Sequence, residues 1–245
     1  MKAILFSCLI TVTAFCALIA AAQALEKSES DDKTSLVVVE LFTSQSCSSC
    51  PPADSYLEKL SREDNVIAMA CHVSYFNRMN WQDTLSNEFC DIRQHGYASL
   101  EKPPRVYTPQ MIMNGLNPFV GSRLEDGKTA FTRARGQRVE PIEIELDEKT
   151  IRFMLPPVDF PINGDFRLWM FGFKTSHSQD ISGGENAGKK IHYVNSAITY
   201  TNLGAWEGDA ISRSAPRPDG DIDGVIIFGQ AGGYGRIVAA GKLDF

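Results

Sequence analysis

The hydrophobic pattern of the chain changes character near residue 138. Before it, short continuous apolar runs alternate with segments of helical period. Ser35-Leu-Val-Val-Val-Glu-Leu-Phe42 and the run from Val66 to Val73 have the pattern of strands covered on both faces. Ala53 to Arg62 sets Tyr56, Leu57 and Leu60 on one side of a helix. The stripe Leu85, Phe89 and Ile92 predicts a second helix, capped by Asp83 or Thr84 and running to about Leu100. Val106 to Met113 reads as a further strand ended by the turn signal Asn114-Gly115, and Gly127 to Gln137 as a short helix. Strands alternating with helices predict an α/β sheet containing parallel pairs.

Beyond residue 138 a period of two takes over. Ile142-Glu-Ile-Glu-Leu146, Thr150–Leu155, Phe166–Lys174, Ile191–Tyr200, Val225–Phe228 and Ile237–Leu243 read as strands separated by Gly, Pro and Asp clusters. They predict an antiparallel, sandwich-like or barrel-like module. The expected organisation is an α/β domain over 35–137 followed by an antiparallel all-β domain over 138–245.

The N-terminus changes this picture by removing a piece. Lys2 precedes an apolar run from Ala3 to Ala22, which ends in Ala22-Gln23-Ala24, a small-x-small cleavage pattern. A single membrane anchor is the competing reading. The small-residue end and the charged LEKSESDDK after it favour a signal peptide over 1–24 and a flexible tether over 25–34. The expected location is periplasmic or secreted, with no stable membrane insertion after cleavage. Loss of Lys2 takes the net charge from −6 to −7, which disfavours nucleic acid and anionic membrane as partners. Of six cysteines, Cys47, Cys50, Cys71 and Cys90 remain, an even number suited to an oxidising compartment.

Ser44-Gln-Ser-Cys-Ser-Ser-Cys-Pro-Pro-Ala-Asp54 places a Cys-x-x-Cys between a predicted strand and a predicted helix. Unpaired N–H groups and the positive dipole end at a helix N-terminus stabilise a thiolate, the species that attacks a disulfide. Cys47 is then the expected nucleophile and Cys50 the resolving thiol. Pro51 and Pro52 cannot donate backbone hydrogen bonds. Residues 47–50 are therefore expected to form an irregular or 3₁₀ turn, with the regular helix starting near Pro52. A zinc site needs four ligands, and one CxxC beside the adjacent Cys71-His72 supplies a poor set, so no metal is expected. Cys71 and Cys90 are left with three outcomes open: a second disulfide, a free flank thiol at Cys90, or simple burial of Cys71. Gly183-Gly-Glu-Asn-Ala-Gly-Lys189-Lys190 has phosphate-loop spacing but ends in Lys190 before a strand-like run, and reads as a loop of the β module.

Strand, CxxC, helix, second strand and then Thr108-Pro109 leading into a hairpin is similar to the thioredoxin fold. The chain more closely resembles an uncharacterised family of bacterial secreted proteins with a thioredoxin-like domain. The resemblance rests on Val39-Glu-Leu-Phe-Thr-Ser-Gln-Ser-Cys-Ser-Ser-Cys-Pro-Pro-Ala-Asp54, on His72-Val-Ser-Tyr75 with Trp81, on Tyr107-Thr-Pro-Gln-Met111 and on Gly184-Glu-Asn-Ala-Gly188. The chain departs from the family pattern at Ser74, where an acid is expected, at Phe76, where tryptophan is expected, and at Cys71 and Cys90. The resemblance implies that Pro109 is cis and that Thr108 faces the substrate. It also implies that Glu40, an acid inside an apolar strand, carries a proton beneath the dithiol. An edge-facing or hydrogen-bonded structural glutamate is the equal alternative. His72 and Tyr75, ending the second predicted strand, should lie near the CxxC turn. With Thr108 and Pro109 they form the expected substrate-binding set. His72 is either a thiolate stabiliser or a structural histidine, and Tyr75, Phe76 and Trp81 are expected to pack a lid or groove.

These readings predict a thiol–disulfide oxidoreductase-like protein acting on a protein or small-thiol disulfide, with Cys47, Cys50 and Glu40 as its catalytic set. No cofactor is needed beyond the cysteines. The rival is a non-catalytic binding module on the same fold whose CxxC is a static disulfide.

Overall fold

Val37–Thr43 (β1) is buried at every position, the condition its continuous apolar pattern anticipates. In the computed structural model, which describes residues 36–77, 80–159, 161–162 and 164–245, this strand lies inside a nine-stranded sheet. The expected signal peptide and tether fall outside the described residues. β1 pairs in parallel with Val66–His72 (β2) and antiparallel with Gln110–Met113 (β3). Asn114 and Gly115, both at positive φ, turn the chain into Leu116–Val120 (β4). Three helices accompany these strands: Pro51–Leu60 (α1), Glu88–Ala98 (α2) and Leu124–Arg135 (α3).

The two faces of β1 serve different cores. Val37, Val39 and Leu41 pack with Ala53, Leu57 and Leu60 of α1. Val38 and Phe42 point the other way, towards Cys90 and Tyr97 of α2. Each fully buried side chain such as Leu57 contributes about 1.5–3 kcal/mol to such a core.

Several sequence expectations shift here for physical reasons. α1 begins at Pro51, because two prolines occupy N1 and N2, where an N–H would have no intrahelical partner. α2 begins only at Glu88, since Asp83 does not cap it; its carboxylate is used elsewhere. The buried face of α2 is Cys90, Arg93, Gln94 and Tyr97, while Ile92 is 61% exposed. The strand expected from Val106 starts at Gln110, because Pro109 has no N–H to give to a neighbour.

After α3 come Glu140–Pro141 (β5), Glu143–Asp147 (β6), Thr150–Leu155 (β7), Phe166–Asp180 (β8), Lys190–Trp206 (β9), Ile211–Pro216 (β10), Gly224–Ala231 (β11) and Ile237–Asp244 (β12). Five of these extend the first sheet, whose order is β4-β3-β1-β2-β9-β8-β11-β12-β5. The join is a parallel pairing of Ala70 with Ser196. The remaining three form a second sheet, β10-β7-β6, which covers Phe166, Leu168, Met170 and Val225 with Ile151, Phe153 and Leu155. The change of period near 138 thus marks a change from mixed α/β pairing to mainly antiparallel pairing, with β5 parallel to β12, and residues 36–245 form one unit. Among the described residues no helix is long and apolar enough to cross a membrane.

Candidate functional site

Residues 44–50 leave β1 as two successive turns, closed by Cys47 N–H donating to the Ser44 carbonyl (3.1 Å) and Cys50 N–H to that of Cys47 (3.1 Å). Cys47 and Cys50 are joined in a disulfide, with Cys50 at the N-cap of α1. Its carbonyl accepts from the N–H groups of Ala53 and Asp54, starting the helix that the prolines cannot start themselves. Ser48 and Ser49 are exposed, whereas Cys47 is 2% exposed and Cys50 is fully buried.

A polar cluster lies under this turn, on the α1 face of the sheet. Asp54, one helical turn after Cys50, is buried and accepts from Thr43 Oγ1 (2.8 Å). Thr43 is the register partner of His72 on β2. His72 is fully buried, sits 4.7 Å ring to ring from Tyr193, and its Nδ1 lies 2.9 Å from Asp83 Oδ2. The same Asp83 oxygen accepts from Gln45 N–H (2.8 Å), so the cluster also holds the turn leading to Cys47. Asp54 Oδ2 and His72 Nε2 are buried without hydrogen-bond partners.

Electrostatics follow from that burial. Burial pushes the Asp54 carboxyl up to about 7, against the opposing pull of His72 and the Thr43 hydrogen bond. Burial alone would lower the pKa of His72, but Asp83, and then Asp54, leave it raised. Burial also opposes ionisation of Asp83, yet His72 and the N–H groups of Gln45 and Leu85 hold its carboxyl below the usual value. The turn therefore sits above a group whose proton exchanges near neutral pH.

Thr108 and Pro109 face the same region. Their peptide bond is cis, and together with Ser49, Tyr107, Phe119 and Arg123 they line a groove of about 620 Å³. Tyr75 is half-buried and donates to Gln94 Oε1 (3.1 Å); Gln94 Nε2 in turn donates to the Tyr107 carbonyl (2.7 Å). Tyr75 thus supports the segment before Pro109 from behind, and burial pushes its hydroxyl up to about 12. Trp81 Nε1 donates to Gln45 Oε1 (2.8 Å), packing the other flank.

Glu40 is not brought to this site. It points to the α2 face, where Arg93 grips it through Nε (2.5 Å) and Nη2 (2.9 Å), and Tyr97 donates to it as well. Cys71 and Cys90 form a second disulfide on that face, tying β2 to α2. Among the described residues no three His, Cys, Asp or Glu side chains are grouped to hold a metal ion.

Asp54, Asp83, Glu185 and Asn186 were not among the expected site residues. For Asp54 a signal existed: it shares a helical face with Cys50, Ala53 and Leu57. Glu185 Oε2 accepts from Ser48 N–H (2.9 Å) and Ser48 Oγ (2.7 Å). Asn186, fully buried, donates through Nδ2 to the carbonyls of Gln45 (3.0 Å) and Cys47 (2.8 Å). Both come from the loop between β8 and β9.

Residues 38–230 match a family described as a protein of unknown function, DUF1223. The chain belongs to this family. A crystal structure of a protein from Agrobacterium tumefaciens, solved by a structural genomics consortium, is 28% identical, with a TM-score of 0.71 over 85% of this chain and 94% of that one. HBP35 of Porphyromonas gingivalis is 17% identical, with a TM-score of 0.61 over 86% of this chain and 76% of that one; this likeness is one of fold alone. No curated protein matches the chain. The DUF1223 match spans both halves, from β1 to β11, and so takes in the CxxC turn, the cis-proline segment and the β8–β9 loop.

Proposed function

We propose that residues 35–137 are a thioredoxin-like domain and that the protein exchanges thiols and disulfides through Cys47 and Cys50. The observation that carries this reading is a disulfide at the start of α1 whose intervening Ser49 lines one groove with the cis Thr108-Pro109 bond. In the reduced protein, the Cys47 thiolate attacks a substrate disulfide, forming a mixed disulfide and releasing one substrate thiolate. The Cys50 thiolate then attacks Cys47 Sγ, releasing the second substrate thiolate and closing the Cys47–Cys50 bond. Two electrons pass from the protein to the substrate, and the reverse sequence reduces the protein.

Cys50 must lose its proton for the second step. Asp54, buried one turn below and titrating near 7, is the group placed to take it; Glu40 is committed to Arg93 on the other face. Thr108 and Pro109 would line the substrate backbone, with Tyr75 holding their segment and His72 setting the charge around Asp54. Two disulfides and the signal-peptide pattern suit a periplasmic or secreted protein.

One observation favours the static binding-module reading: Cys47 is 2% exposed under the β8–β9 loop. The two readings separate in glutathione buffers. Exchange requires the Cys47–Cys50 couple to open there, insulin reduction to depend on Cys47, and Cys50→Ser to trap a mixed disulfide. A couple that stays closed, with potential below about −300 mV, and wild type inactive on insulin, would leave the static reading.

A further inference from the structure

The loop from the second half of the chain does more than cover the disulfide, because of which atoms it engages. Ser48 lies between the two cysteines, directly after Cys47, and its backbone N–H belongs to the turn that carries them. That N–H donates to Glu185 Oε2, and so does the Ser48 hydroxyl. A carboxylate therefore stands one residue from Cys47 and consumes a donor of its turn. The placement is built rather than incidental. Asn186 locks the adjacent backbone through two carbonyls, Lys189 Nζ donates to Asn186 Oδ1 (2.8 Å), and Gly184 packs against Ser46. Gly184 has φ +70, and a Cβ there would lie 2.8 Å from Ser46 Oγ, so glycine lets the loop approach this closely.

We propose that Glu185 is a positioning residue that biases the Cys47–Cys50 couple towards the disulfide by opposing the Cys47 thiolate. This rests on the exchange reading for its purpose, but its physics can be read whether or not glutathione opens the couple. The reaction measured, at a pH above the Cys47 pKa, is the Cys47–Cys50 disulfide plus reduced dithiothreitol giving the Cys47 thiolate and Cys50 thiol plus cyclic oxidised dithiothreitol. Two electrons and one proton move to the protein, and the second proton goes to the buffer.

Glu185 is exposed, so its charge acts through a water-like dielectric, and neutralising it should shift the equilibrium roughly threefold to fivefold towards the dithiol. For a two-electron couple that fold-change is about 14–21 mV. Glu185→Gln keeps an oxygen to accept from Ser48 and removes only the charge. It should show this shift in dithiothreitol redox buffers, followed for the Cys47–Cys50 peptide by thiol labelling and mass spectrometry so that Cys71–Cys90 is scored separately. The Cys47 thiol, titrated by thiolate absorbance, should have a pKa lower by about 0.5–0.7. Both effects should fade in 1 M salt, where the screening length falls to about 3 Å, and Glu185→Asp should restore wild-type values. An equilibrium within about 1.5-fold of wild type overturns the proposal. So does a shift that ignores salt and leaves the Cys47 pKa unchanged, because that marks a loop held for packing alone. The wild-type couple in glutathione tests the exchange reading separately.

Discussion

Replacing Asp54 by Asn should make the folded protein more stable and a poorer exchanger. Burial raises this carboxyl from its ordinary 3.8 to about 7. The displacement spans roughly three pH units at about 1.4 kcal/mol each, a ceiling of about 4 kcal/mol at alkaline pH. His72 reduces it, because removing the Asp54 charge also removes a partner that helps protonate the histidine. About half the ceiling, ~2 kcal/mol, is the expected gain at pH 8, or roughly 4–8 °C in Tm for a chain of this size. The sign follows from proton counts. Below about pH 4 both the folded and unfolded wild type keep the proton, so Asn brings no advantage. Between about pH 4 and 7 the unfolded chain releases it while the folded one holds it, and wild-type stability falls as pH rises. The advantage of Asn should therefore open across that window and level off above it. Asp83 and Tyr193, which also face His72, are common to both proteins and drop out of the comparison. Thermal unfolding of the oxidised proteins followed by circular dichroism from pH 3.5 to 8.5 reads this directly. Disulfide exchange by the same variant should slow on the order of 10²-fold. A variant less stable than wild type at pH 8, or a stability difference that does not vary with pH, would refute the argument that burial penalises a charged Asp54.

Three further substitutions test the surroundings. Glu40→Gln strips the charge that holds buried Arg93 and should lower stability by about 3–5 kcal/mol in urea unfolding, while exchange by the folded fraction stays within about twofold of wild type. Asp83→Asn should lose a comparable ~3–5 kcal/mol at pH 6, where His72 is left without its counter-charge, and should speed hydrogen exchange at the Gln45 amide. Removing the Cys71–Cys90 disulfide by a double change to alanine should cost about 3 kcal/mol, judged by the midpoint of denaturation, with the Cys47–Cys50 equilibrium unchanged within about twofold.

What could be read from the sequence was what is local. The apolar runs of β1 and β2, the helix start at the prolines, the Asn114-Gly115 turn and the alternating strands after 138 all follow from short-range periodicity. The apolar stripe predicted for α2 is only partly its inner face: Leu85, just before the helix, is buried and Phe89 packs on the core, but the other inward positions are Cys90, Arg93, Gln94 and Tyr97. Arg93 and Gln94 are polar, so a hydrophobic count places Ile92 inside, where it is exposed. β10 carries no hydrophobic signature, because Ile211–Pro216 is a mostly exposed edge strand with a polar run. Glu40 is legible as an acid in an apolar strand, but its partner Arg93 lies far along the chain. The family resemblance pointed to the loop around Glu185 and Asn186. Their contact with Ser48 and Cys47 bridges 137 and 139 residues and leaves no trace in any window of sequence.

The pairing of Ala70 with Ser196 also governs how this protein can be taken apart. A fragment ending at residue 137 would contain both disulfides, α1, α2, α3 and the cis Thr108-Pro109 bond, and so would look like a minimal working module. It would nevertheless lack Tyr193 against His72 and Asn186 on the Cys47 carbonyl, and β2 would become a raw sheet edge. Such a fragment is better regarded as an unfinished half of a composite object than as a separable enzyme. Grafting the CxxC turn elsewhere would require carrying the β8–β9 ribbon with it.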